Sequence, residues 1–186
     1  MAQAAKTAPA DSLEANEYDG ITISLLTCGP GEEVYTLYGH TAIRICDTTR
    51  HADIVVNYGM FSFRQNFFVA RFILGLTDYM IGITSFSNFV DEYTYEGRWV
   101  YEQVLNLRQE EKKAIIAAID ENSKPENATY RYNCFYNNCT TRARDILTEN
   151  ISGKVGYAPE TWDAPSFRDM CHSKTADHRW SSFGND

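Results

Sequence analysis

An α+β domain built on an antiparallel sheet is the architecture this sequence predicts, and three observations carry it. Short β-branched runs, Ile21–Thr27, Thr41–Cys46 and Ile54–Asn57, are separated by turn-forming Gly, Pro, Asp and Thr. Aromatic content is high, with 12 Tyr and 10 Phe, as pleated surfaces favour. Two further segments, Gln109–Asn122 and Cys139–Leu147, repeat apolar residues at helical spacing, so helices are expected to pack against that sheet.

Taken in order, residues 1–19 are Ala-rich and polar, with no apolar h-region, and predict a disordered arm rather than a signal peptide. Residues 20–186 then predict one domain. Ile21–Thr27 is strand-like, and Cys28-Gly29-Pro30-Gly31 is a turn. Thr41–Cys46 and Ile54–Asn57 flank Asp47–Asp53, which reads as a hairpin loop; antiparallel pairing about it sets His40 opposite Asn57 or a near neighbour. Phe68, Phe72 and Leu76 predict a short helix, followed by a strand before residue 90. Arg98–Leu107 reads as a strand with Trp99, Tyr101, Leu105 and Leu107 on one face. Gln109–Asn122 is the clearest helix, with Ala114, Ile115, Ala118 and Ile119 in its stripe and Pro125 beyond its end. Tyr130–Tyr136 reads as extended, Cys139–Leu147 as a helix, and the tail from Gly156 as loop.

Composition excludes several functions. A formal charge of −8 over 186 residues argues against nucleic acid, whose phosphates need a basic surface. No run approaches the roughly 18–20 apolar residues of a membrane span. The five cysteines show no zinc-ribbon or thioredoxin spacing, so neither a metal nor another cofactor is expected. Cys28, Cys46 and Cys171 read as small buried hydrophobes. An odd count still leaves one thiol unpaired.

Chemistry concentrates in Tyr132-Asn133-Cys134-Phe135-Tyr136-Asn137-Asn138-Cys139-Thr140-Thr141-Arg142. Asn138 is a good helix cap, which places Cys139 in the first turn, where the positive helix end favours thiolate over thiol. Ala143, Ile146 and Leu147 follow Cys139 at i+4, i+7 and i+8, so Cys139 heads the face that packs on the sheet. His40, starting its strand within Tyr38-Gly39-His40-Thr41, is the imidazole placed to meet it as general base. A third group should fix the ring tautomer; Asn57 is the first candidate and Asp53 the second. Tyr38 is read as a wall residue or an oxyanion donor alongside the Cys139 backbone N–H. Arg142 and Arg144 are read as solvated helix charges.

Four segments together resemble the extracytoplasmic domain of the lipoprotein intramolecular transacylase family. They are Leu26-Thr27-Cys28-Gly29-Pro30-Gly31, Tyr38-Gly39-His40-Thr41-Ala42-Ile43-Arg44, Asn57-Tyr58-Gly59-Met60-Phe61 and Asn138-Cys139-Thr140-Thr141-Arg142. The order His40 before Cys139 is similar to that of the circularly permuted papain-like superfamily. The resemblance implies an antiparallel sheet with a packed nucleophile helix. It implies an enzyme outside the cytoplasm that moves an acyl chain of a membrane lipoprotein through a thioester on Cys139, with His40 as base. The aromatic stretch Phe61–Phe89 would then line an acyl site or lie near the membrane, or simply fill the core. Family members carry membrane-spanning segments that this chain lacks, so the chain is expected to be a piece of a longer membrane-anchored protein. A cell-wall peptidase using the same pair and a non-catalytic binding domain are the alternatives.

Overall fold

The computed structural model describes residues 17–61, 78–153, 155–156 and 165–175. Six strands form one antiparallel sheet: β1 (Ile21–Cys28), β2 (His40–Asp47), β3 (Ala52–Met60), β4 (Asp78–Ser85), β5 (Val100–Val104) and β6 (Thr129–Arg131). Their order across the sheet is β5-β1-β2-β3-β4-β6. Four helices accompany them: α1 (Phe86–Tyr95), α2 (Gln109–Asn122), α3 (Cys139–Glu149) and α4 (Phe167–Thr175). A 3₁₀ turn at Val34–Thr36 links β1 to β2.

Period-two alternation divides the strands between two cores. Ile21, Ile23, Ile43, Ile45, Val56 and Tyr58 face one side, where Ile115 and Ile119 of α2 and Ala143, Ile146 and Leu147 of α3 cover them. Leu26, Cys28, Ala42 and Val55 face the other, under Phe89 and Tyr93 of α1. Ile23, Ile43 and Val56 are fully buried, each contributing about 1.5–3 kcal/mol. Glu111 is buried at the start of α2, where its carboxylate accepts the N–H of Arg108 (2.9 Å) and of Ser152 (2.8 Å). Those bonds hold its pKa down to about 2 and pin the end of α3 to the start of α2.

The hairpin loop is shorter than the sequence predicts. Asp47 Oδ1 accepts from the backbone N–H of Thr49 and Arg50 and from the Thr49 hydroxyl, which closes a tight turn and leaves Asp47 paired with Ala52. With Asp47 opposite Ala52, the register sets Ala42, not His40, opposite Asn57. α1 is a helix the sequence reading does not assign; Ser85 caps it by accepting from the Asn88 N–H at 3.2 Å. α4 likewise stands where a loop is expected. Trp99, just before β5, and Tyr101 on it are about half and mostly exposed, so only Leu105 and Leu107 of that predicted face reach the core. The expected helix at Phe68–Leu76 and the arm up to residue 16 lie outside the described residues. Among the described residues no helix is long and apolar enough to cross a membrane.

Candidate active site

The segment before α3 is a set of interlocking side-chain bonds, and each Asn has a separate task. Asn133 Oδ1 accepts from the N–H of Phe135 (3.0 Å) and Tyr136 (2.9 Å), closing the turn, while Asn133 and Asn137 pair through their backbones. Asn137 donates to the Arg131 carbonyl and accepts from Arg142 Nε, both at 2.8 Å. Asn138 caps α3: its side chain accepts from Thr141 N–H at 2.9 Å and donates to the Cys134 carbonyl at 2.7 Å. Thr141 Oγ1 returns a bond to the Asn138 N–H, completing a capping box. Arg142 is thus not a solvated charge; its guanidinium also lies 4.0 Å over the Tyr130 ring. With both ends of the turn fixed, the Cys139 backbone N–H sits at the first position of α3, where no helical carbonyl can take it.

Where β2 and β3 part, the thiol enters. Their pairing stops at Ala42–Asn57, and β3 bulges between Tyr58 and Met60 around Gly59, whose φ is +117°. A Cβ on Gly59 would lie 3.8 Å from Cys139 Cβ and 3.9 Å from His40 Cε1, so both reactive side chains border this notch. By alternation His40 shares the α1 side of the sheet with Asn57, whereas α3 packs on the other side. Cys139 and His40 therefore meet at the end of the sheet, through the gap the bulge opens, rather than across one of its faces. Thr140 Oγ1 contacts Thr41 Oγ1 at 2.9 Å and fastens the start of α3 to β2 beside His40.

His40 Nε2 lies 3.0 Å from Asn57 Oδ1. The amide oxygen accepts only, so with this orientation of Asn57 the ring proton sits on Nε2 and Nδ1 is left for the thiol. Burial alone would raise the Cys139 pKa. The hydrogen bond and charge of His40, the backbone N–H of Thr41 and the Thr140 hydroxyl outweigh it, bringing the thiol down to about 7. Burial pulls His40 down, but the bonds to Cys139 and Asn57 prevail and its pKa is raised despite the opposing charge of Arg98. Each partner thus stabilises the charged form of the other, the behaviour of a thiolate–imidazolium pair.

Of the four residues singled out from the sequence, the structure brings Cys139, His40 and Asn57 together. Asp53, the second candidate for the third position, does not join them: both its oxygens are held by Arg44, at 2.8 and 2.7 Å. Tyr38 lines the same cavity but is 46% exposed; burial is the larger cause of its raised pKa, and the neighbouring Cys171 raises it further. Cys28 is buried as expected, and its thiol is pushed up to about 11 by that burial. Cys46 and Cys171 are half-buried rather than core residues. Two contributors went unseen in the sequence: the Gly59 bulge, and the pairing of Thr41 with Thr140. Both depend on contacts between segments far apart in the chain.

Gly39 is demanded on two counts. Its φ is +73°, and a Cβ there would stand 2.6 Å from the Cys28 carbonyl oxygen, a backbone atom unable to yield. Gly39→Ala is expected to cost about 2 kcal/mol or more. A urea titration should show a lowered midpoint, and an unchanged midpoint would contradict this account of how His40 is aimed.

The notch opens into a cavity of about 510 Å³ bordered by Cys139, His40 and Asn57. One wall is a row of rings: Tyr35 to Phe61 at 5.6 Å between centroids, Phe61 to Tyr79 at 5.1 Å, and Tyr79 to Tyr132 stacked at 4.1 Å. A second cleft, of about 680 Å³, reaches His40 and Thr140 from the other side and is walled by Leu25, Leu105, Leu107 and Leu147. Among the described residues no cluster of three His, Cys, Asp or Glu could hold a metal ion.

Comparison with known proteins agrees with the resemblance read from the four segments. The model of the Lnb N-terminal periplasmic domain matches residues 8–168. No curated protein and no solved structure matches the chain. With that match covering most of its length, the chain belongs to the family of Lnb N-terminal periplasmic domains.

Proposed function

We propose that this domain is a thiol acyltransferase or hydrolase whose substrate is an acylated, membrane-associated lipoprotein. The observation that carries the reading is the Cys139–His40–Asn57 constellation opening onto an aromatic wall. An open polar groove would suit a peptidase; the ring row and the neighbouring leucine cleft suit an acyl chain instead. The order His40 before Cys139, with the helix packed on an antiparallel sheet, supports a circularly permuted papain-like fold. Placement of the substrate at a membrane surface belongs to the same proposal.

In the proposed cycle, His40 Nδ1 takes the thiol proton, and Cys139 Sγ attacks the acyl carbonyl. The resulting oxyanion is held by the Cys139 N–H, with Tyr38 as the second donor. The imidazolium protonates the departing alkoxide, leaving an acyl thioester and a free alcohol. An amine then attacks the thioester while His40 accepts its proton, and the amide departs as the thiol re-forms. Asn57 keeps the ring in the required tautomer throughout.

Intact-protein mass spectrometry after incubation with a diacylglyceryl lipopeptide tests this. One added acyl mass, mapped to Cys139 and released by hydroxylamine, is the expected result. Acylation elsewhere, or none while Cys139 remains alkylatable, would overturn it.

A further inference from the structure

Cys134 and Cys171 play no part in the cycle above, yet the fold draws them together at the rim of the same cavity. The ring of Phe135 stacks on that of Phe167 at 4.1 Å between centroids and 17° between planes, and Tyr136 meets Phe167 edge-on at 5.7 Å. This aromatic contact seats α4 on the turn that precedes the nucleophile helix. Cys134 is the residue before Phe135, and Cys171 lies one turn after Phe167 on the same side of α4. Tyr38 has both Cys171 and Cys134 as electrostatic neighbours, so the three groups lie in one neighbourhood. Cys134 is raised by burial first and by the neighbouring Cys171 next. Both residues are half-buried thiols in this structure.

We propose that Cys134 and Cys171 are a disulfide-forming pair that locks α4 against the nucleophile turn. The family is described as periplasmic, and in the periplasm juxtaposed thiols meet disulfide oxidants. The chemistry balances with a disulfide donor as co-reactant. One cysteine thiolate attacks the donor, forming a mixed disulfide and releasing one donor thiol. The second cysteine thiolate attacks the mixed disulfide, forming the Cys134–Cys171 bond and releasing the other donor thiol. Two electrons pass from the protein to the donor. The bond would fix Met170, a cavity wall residue adjacent to Cys171, and would leave Cys139 as a thiol. The pairing is independent of the acyl-transfer reading.

The test is non-reducing peptide mapping of the chain after equilibration in an oxidised-glutathione buffer. Trypsin places Cys134 and Cys139 on one peptide, Tyr132–Arg142, and Cys171 on another, Asp169–Lys174. The expected product joins the two, with fragmentation assigning the bond to Cys134. It should persist in Cys139→Ser and vanish in Cys134→Ser and in Cys171→Ser. In wild type, reduction should lower the thermal midpoint by roughly 5–10 °C. A bond running through Cys139, or Cys134 and Cys171 both remaining alkylatable at equilibrium, overturns the proposal. Because wild type alone supplies the fragmentation result, a variant that fails to fold does not weaken the test.

Discussion

Cys139→Ser should abolish acyl-thioester formation, and His40→Ala should slow it by roughly 10²–10⁴-fold, the usual worth of a positioned acid–base group. The two losses have different physical origins. Serine keeps the place and the helix-end environment but not the polarisable, ionisable sulfur. Without His40, the burial that favours the neutral thiol loses its main counterweight, since His40 supplies both the leading hydrogen bond and the leading charge that lower the thiol's pKa. Because the pair acts as a unit, the double variant should be no worse than Cys139→Ser alone. Additive losses would mean that the two groups act separately.

Asn57→Ala carries the second large effect. Its oxygen is the acceptor at 3.0 Å that holds the Nε2 proton, and it also helps raise the His40 pKa. Removing it allows the other tautomer, which presents a proton to the thiol instead of a lone pair, and lowers the pH at which the imidazolium is lost. Thioester formation should fall by roughly 10–10²-fold. Its alkaline limb should shift to lower pH, because a group stabilising the charged ring is gone. Asn57→Asp keeps an acceptor and adds negative charge, so it should restore much of the rate and move that limb upward. Kinetics unchanged in Asn57→Ala, with only the melting temperature altered, would reduce Asn57 to a packing residue.

Much of this arrangement is legible in the sequence because local signals agreed with the fold. The alternating β-branched runs around Ile43 and Val56 bury one face, and α2 runs over the residues its apolar spacing predicts. The Asn138 cap is a local interaction and could be read directly. What was hidden depended on distant partners. Asp47 closes the β2–β3 turn by side-chain bonding with Ala52 as its strand partner, and that register puts Ala42 rather than His40 opposite Asn57. Asp53 is nearer to His40 in the chain than Asn57 is, but Arg44 lies next to it on the same face and holds it in an ion pair. α4 is a short polar helix whose docking rests on Phe135 and Phe167, residues that no local periodicity connects. Gly59 looks like any strand glycine until the bulge gives it a positive φ and places it between the thiol and the imidazole.

The central claim is that His40 converts a half-buried thiol at the head of α3 into a thiolate near neutral pH. The pH–rate profile of Cys139 alkylation by iodoacetamide, resolved site by site by mass spectrometry, tests it in wild type and in His40→Ala. Wild type should inflect near the value of about 7 that its surroundings set. The variant should inflect above the roughly 8.5 of an ordinary thiol, with alkylation at neutral pH slowed at least ~10-fold. Coincident profiles, both inflecting in the ordinary thiol range, would show that His40 does not activate Cys139 and would contradict the account.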